Sequence, residues 1–267
     1  MWVGGQLSWL EKVCLASFAE MGYQVKLYSY DELQVPQGVA LADASQIIPA
    51  DRIFQNPPPS ESYAGFSNVF RYDLLAAEPD EVWIDTDVLA GARCLPDSDF
   101  LLGYEDRHFV NGAVLRIPPN SPILRALQDE AARVDKSSFK WGDLGPRLIT
   151  KHVKEFDLWS RVSNRDVFYP ISSLQVWRLF SPKHRKHVEE TIKESSTVHV
   201  WNEAFKLSNS DIKKFVPHPD SYLGVKALEL GISLTPDRTL PQRTLRDWTR
   251  RSQIQMVRNA IGRRILS

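Results

Sequence analysis

The segment Glu81-Val82-Trp83-Ile84-Asp85-Thr86-Asp87-Val88-Leu89 constrains this chain more than any other. An apolar run enters two carboxylates placed two positions apart, then continues apolar. In an extended strand, residues i and i+2 point to the same face, so the pattern predicts Asp85 and Asp87 side by side at the end of a buried strand. Like charges that close repel, and burying them unpaired is costly. A hard divalent cation relieves both penalties, because carboxylate oxygens suit it. Such a cation also neutralises the oxygens of a bound diphosphate. On the residues alone the alternative is a strand end whose carboxylates cap the next helix or face water.

The 267 residues suffice for one large α/β domain or two small ones, and 43% apolar content allows a sizeable core. Only Cys14 and Cys94 are present, which argues against a disulfide scaffold and fits a reducing compartment. No paired Cys/His spacing suggests structural zinc. No apolar run approaches a bilayer span, and the N-terminus lacks a basic region followed by an apolar one. The expected location is the cytoplasm. The opening residues read as part of a first core strand that a longer chain would extend upstream. Net charge is zero but uneven: residues 243–267 hold seven arginines and one acid, a local +6, which leaves −6 on residues 1–242. A nucleic-acid partner is not expected, since its positive charge would spread over the folded body.

Residues 7–21 have helical spacing, with Ser8 and Glu11 placed for a capping box and Gly22 as the stop. Residues 24–30 alternate as a strand. Strand, helix and strand over 1–30 predict the start of a parallel sheet. Residues 31–62 read as loop-rich, with a short helix or strand within 43–53 and a break at Asn56-Pro57-Pro58-Pro59-Ser60. Helices are expected at 67–78, 121–134 and 143–154. Strands are expected at 99–104, 112–117, 167–171 and 197–201. Residues 1–232 form the main domain in this reading and 233–267 a basic C-terminal extension. Within it, Leu245, Trp248, Ile254, Val257, Ile261 and Leu266 lie among arginines as in a basic amphipathic helix. That helix suits either the anionic inner face of a membrane or docking on the main domain.

The run Phe66-Ser67-Asn68-Val69-Phe70-Arg71-Tyr72-Asp73-Leu74-Leu75, followed by Val82 to Val88, resembles the Asp-x-Asp sugar-transferase family. That family includes fungal initiating mannosyltransferases, animal α-1,4-galactosyltransferases and bacterial capsule and lipopolysaccharide enzymes. Trp2-Val3-Gly4-Gly5, Gly142-Asp143-Leu144-Gly145-Pro146 and Val198-His199-Val200-Trp201-Asn202 fit it in the same order. The resemblance covers residues 2 to about 205. It implies a GT-A fold with a mostly parallel central sheet, a nucleotide-sugar donor, a divalent cation (Mn2+ or Mg2+) and retention of anomeric configuration. Two departures stand out. Asn68 replaces a frequent Asp, and Pro79-Asp80-Glu81 replaces a usual Gly-Gly.

The candidate residues follow. Asp87 is expected to ligate the metal directly, and Asp85 to hold ribose hydroxyls or a metal-bound water. Arg71, a guanidinium able to pair bidentately, is assigned to orienting the donor sugar or Asp85; the alternative is a solvated helix arginine. His199 shares a strand face with Trp201. A neutral imidazole makes a good third ligand, although a lone histidine is more often a core residue, and it is the matching segment that favours ligation. The Trp201 indole N–H is aimed at a phosphate oxygen, with Asn202 beside it on the donor. Trp2 is placed against a uracil, and Gly4 and Gly5 let backbone approach phosphate; core packing plus a turn is the alternative. Tyr28 and Tyr30 are weighed equally between core and base contact. Asn68 is assigned to the donor, where its missing carboxylate alters sugar choice; in the family's layout Asn111 borders the acceptor and donor sugars, and Asp143 lines that pocket as a candidate catalytic residue with Asp85, Asp87 and Arg71.

Together these predict a metal-dependent retaining glycosyltransferase. It would move a sugar, galactose for example, from a UDP-linked donor to a glycan or lipid-linked glycan in surface polysaccharide synthesis. Two rivals are a non-catalytic glycan- or nucleotide-binding relative and an Asp-x-Asp-x-Thr phosphotransferase. The latter wants Thr or Val four positions after its first Asp, where this chain has Leu89.

Overall fold

The computed structural model describes residues 1–58, 62–140, 142–208, 212–234 and 238–265. Pro59 and Ser60 of the expected break, and Leu266 of the tail, lie outside the described residues, as do the side chains of Ile261, Arg263 and Arg264.

Helix α1, Trp9–Glu20, begins as its sequence predicts: the Ser8 hydroxyl accepts from the Leu10 amide, and the Glu11 carboxylate accepts from the Ser8 amide at 2.9 Å. Gly22, with φ at +84°, supplies the left-handed stop. The expected first strand at residues 2–5 does not form. Trp2 makes one parallel bridge to Ser29, and Gly4 and Gly5 turn the chain away with φ of +69° and +64°. Strand β1, Val25–Ser29, pairs in parallel with β2, Val39–Asp43, which the loop-rich reading of 31–62 missed. β2 is an edge strand with Leu41 exposed, so its pattern carries little burial signal. Two single turns of 3-10 helix, Ala44–Gln46 and Ala50–Arg52, follow within 43–53. The other edge of β1 faces residues 82–86 across a cavity of about 510 Å3, which Met1 also lines.

Helix α2, Ala64–Ala77, leads to β3, Trp83–Ile84, and β4, Val88–Ala90. The strand expected through the paired carboxylates is therefore interrupted. β3 pairs antiparallel with β6, Val110–Arg116. β4 pairs antiparallel with β8, Thr197–His199. Asp85 donates its amide to the Ala113 carbonyl (2.8 Å) and accepts the Val88 amide (3.1 Å), forming a turn at the switch between sheets. That turn, and not strand alternation, brings the two aspartates together.

β5, Leu101–Tyr104, forms a hairpin with β6 and pairs in parallel with β7, Val162–Ser163. The four-stranded sheet runs β3-β6-β5-β7. It is mixed, and so the expectation of a mostly parallel sheet is corrected. A connection as short as residues 105–109 makes a hairpin, whereas parallel neighbours need a long crossover. Helices α3, Pro122–Arg133, and α4, Pro146–Glu155, pack with α2 on this sheet through Phe70, Leu75, Leu124, Leu127 and Ile149, all buried. Residues 165–168 form a helical turn, α5, Arg165–Phe168, where a strand was expected. Phe168, Tyr169 and Ile171 are buried, and a short buried apolar run carries no period that separates helix from strand. α6, Arg185–Ile192, α7, Tyr222–Glu229, and α8, Gln242–Ile265, complete the chain. Trp248 of α8 is 0% exposed, with its ring 5.3 Å from Phe180 and 5.5 Å from Phe205. The N-terminal half of α8 is thus bound to the main core. Among the described residues no helix is long and apolar enough to cross a membrane.

Candidate active site

The turn after β3 and the end of β8 open into one cavity of about 640 Å3, walled by Arg71, Asp85, Asp87, Glu105, His199 and Trp201. One ligand atom from each of Asp85, Asp87 and His199 falls within 4.8 Å of the others. Two carboxylates and an imidazole form an oxygen-rich donor set that suits Mn2+ or Mg2+.

Each ligand is held by neighbours. Asp85 Oδ1 accepts from Arg71 Nη2 at 2.9 Å and from the Trp83 indole at 2.7 Å. Arg71 is only 5% exposed, lies over the Trp83 ring, and passes beside Gly112, where an added Cβ would stand 2.3 Å from Nη1. The solvated-arginine alternative is thereby excluded, and Gly112 is required by Arg71. Asp87 Oδ1 lies 3.3 Å from His199 Nε2, and its Oδ2 accepts the Asn202 amide at 2.9 Å. Burial alone would raise the Asp87 carboxyl, but the His199 charge and hydrogen bond, with the Asn202 amide, outweigh it and bring it down to about 2. For His199 burial opposes the proton, while Asp87, Asp85 and Glu105 favour it and win, so its pKa is raised. The His199 Nδ1 is buried without a partner, which leaves a ring nitrogen of the site unsatisfied.

Trp201 stacks on His199 with ring centroids 4.0 Å apart, and its backbone is strained at φ +54°. Its indole donates to the Ile171 carbonyl at 2.8 Å, so the phosphate role assigned to that N–H is corrected: the ring orients His199 and lines the cavity. Asn202 lines the cavity too, with its Oδ1 buried and unpartnered. Trp2, Asn68 and Asn111 also lie on the wall. The Asn68 amide donates to Ala64 O, and Asn111 donates to Glu105 (2.8 Å) and accepts from the Ala113 amide (2.7 Å).

Three expected residues are not brought in. Gly4 and Gly5 lie outside the lining, and the Gly4 amide is taken by Asp31 at 3.0 Å. Asp143 sits in a separate surface pocket, accepting the Lys140 amide (2.8 Å) and facing Arg147 (3.3 Å). Tyr28 packs on Phe70, and the Tyr30 hydroxyl donates to Ile48 O at 2.7 Å, which is the core reading for both. The sequence reading missed Glu105, whose carboxyl is pushed up by burial, against the pull of Asn111. Its signal was a carboxylate directly after β5, at the start of the hairpin turn into β6.

Residues 135–216 match the family model described as the alpha 1,4-glycosyltransferase conserved region. The match takes in His199, Trp201 and Asn202, and the Asp85–Asp87 turn lies before it. Neither curated proteins nor solved structures gave a match to the chain. The matched region, under a third of the chain, is similar to a glycosyltransferase conserved region and supports glycosyltransferase activity.

Proposed function

We propose that the chain is a metal-dependent, retaining glycosyltransferase with a GT-A type donor site, acting on a UDP-linked sugar such as galactose. The observation that carries this is the Asp85–Asp87–His199 cluster in the wall of a nucleotide-sized cavity. A cation bound there supplies positive charge against the diphosphate leaving group. The chain's own groups do the rest. Arg71 fixes the Asp85 carboxylate, the Asn202 amide fixes Asp87, and Trp201 fixes the imidazole plane. The Asn202 side chain offers an unspent acceptor beside the cluster, and Asn68 and Asn111, which line the same cavity, are assigned to the donor sugar. The acceptor is a glycan, lipid-linked in the fuller version of this reading, and the exposed arginines of α8 hold the enzyme at an anionic membrane surface. Both front-face attack and a covalent carboxylate intermediate are compatible with retention.

The test is a panel of UDP- and GDP-sugars, with and without manganese, read by release of free nucleotide. Manganese-dependent release from one UDP-sugar is expected. Equal release in the presence of a chelator, or from a chain with Ala at both 85 and 87, would sink the assignment.

A further inference from the structure

A second cavity, of about 380 Å3, adjoins the first: Glu105, Ser173 and Trp201 line both. Beyond those three, its lining includes Asp106, Arg165 and Gln175. Met256 and Asn259 of α8 also line it. Arg165 Nε donates to the Tyr169 carbonyl at 2.9 Å, which anchors the guanidinium, while its Nη2 is buried with no partner. An orphaned guanidinium nitrogen is an unmet demand for an acceptor atom. The wall offers complementary acceptors in the Glu105 and Asp106 carboxylates and the Gln175 side chain, which accepts from the Ser172 hydroxyl at 3.2 Å. Two carboxylates against one guanidinium disfavour an anion.

We propose that this second cavity is the acceptor subsite, and that it takes a neutral, hydroxyl-bearing sugar. The proposal rests on the donor-site reading above. A sugar hydroxyl both donates and accepts, so one pyranose can meet Arg165 Nη2 with an oxygen and the carboxylates with its protons. The apolar face of the ring has Met256 and Trp201 to lie on. Because Glu105, Ser173 and Trp201 belong to both walls, a hydroxyl of the bound sugar faces the donor cavity, where transfer requires it. Helix α8 thereby becomes part of the acceptor site as well as a surface element.

The experiment is saturation-transfer NMR on the full chain with diamagnetic magnesium and UDP, using methyl β-lactoside and methyl α-mannoside as neutral probes and methyl galacturonoside as the anionic one. Variants are Arg165→Ala and, since Arg165 also holds Tyr169, Met256→Arg, whose side chain is exposed and leaves the core alone. At least one neutral glycoside should give a signal in the wild type, and both variants should reduce it fivefold or more. The rise in melting point given by UDP and manganese should remain in both. No neutral signal, a stronger anionic one, or signals unchanged in both variants would overturn the subsite. A wild type whose melting point ignores UDP and manganese overturns the donor reading instead, and with it the ground for calling this pocket an acceptor site.

Discussion

Arg71 Nη2 stands 2.9 Å from Asp85 Oδ1, and this pair joins helix α2 to the turn that carries Asp85 and Asp87. Arg71 is nearly sealed from solvent, whereas the Asp85 side chain keeps 24% exposure toward the cavity. One partner is thus structural and the other is left facing the ligand space. The pairing also holds the carboxylate in one orientation, which a shared cation site needs.

Removing the buried partner is expected to cost more than removing the exposed one. Arg71→Ala should lose about 3 kcal/mol of stability, the low end for a broken buried pair because Asp85 retains some water. Asp85→Asn, which keeps the shape, should lose less. A double-mutant cycle by denaturant unfolding should return a coupling of about 1 to 2 kcal/mol. Additive losses would remove Arg71 from its positioning role.

Asp87 is tied to β8 by His199 and to the segment after β8 by the Asn202 amide. Asp87→Ala is expected to lower manganese-dependent donor turnover by about a hundredfold or more. The accompanying stability loss should stay near 1 to 3 kcal/mol, for an amide left without its acceptor. Circular dichroism together with nucleotide release checks both halves. Unchanged manganese affinity by titration would reassign the metal.

The cation-free cluster makes stability depend on pH in a definite direction. The folded pKa of His199 is raised above the ordinary 6.5. Its contribution is therefore complete below that value and is lost as pH rises through the higher folded value. The Asp87 carboxyl is lowered from 3.8 to about 2, so its contribution is present above 3.8 and is lost as pH falls through about 2. Chelator-treated protein should therefore be most stable between these limits. His199→Gln should flatten the alkaline loss, and the melting-point gain from manganese should grow with pH as the proton gives way. An alkaline limb that is the same in wild type and His199→Gln would show that the imidazole does not titrate as argued.

The pairing of Asp85 with Asp87 was legible from their spacing, yet the strand geometry behind that expectation was not the geometry found. A two-residue offset also fits a turn between sheets, and single-sequence periodicity cannot see that β3 and β4 choose different partners. Ser8 and Glu11 announced α1 because a capping box is local chemistry. Glu105 and Arg165 went unread because each acquires its role from a neighbour more than five positions away or from an empty space. Asp143 was misplaced for the opposite reason: a motif match fixed its neighbours in sequence, while its local turn hydrogen bonds with Lys140 and Arg147 set where it points.

Gly112 sits where an added methyl would meet Arg71 Nη1 at 2.3 Å and Ile149 Cδ1 at 2.8 Å. Gly112→Ala should push the guanidinium off Asp85 and cost about 1 to 3 kcal/mol. In an Arg71→Ala background the same change should cost clearly less, since one of the two clashes has gone. Equal costs in the two backgrounds, by thermal melts, would mean that Ile149 alone limits the space.

The basic C-terminal helix has two faces with separate expectations. Its inner face buries Trp248 against Phe180 and Phe205, so Trp248→Ala should lose about 3 to 5 kcal/mol, and truncation after residue 242 should expose those rings and destabilise the whole chain. Truncation is therefore a poor test of membrane contact. The outer face carries Arg250, Arg251 and Arg258 beside Ile254 and Val257, which are 44% and 58% exposed. Each arginine near an anionic surface contributes about 1 kcal/mol, screened within a Debye length. Replacing these three by Gln leaves Trp248 in place and should weaken binding to phosphatidylserine vesicles by about a hundredfold at low salt, with the melting point held. Vesicle sedimentation reads the first and calorimetry the second. Equal sedimentation of both proteins would leave α8 as a docked helix whose arginines are only solvated.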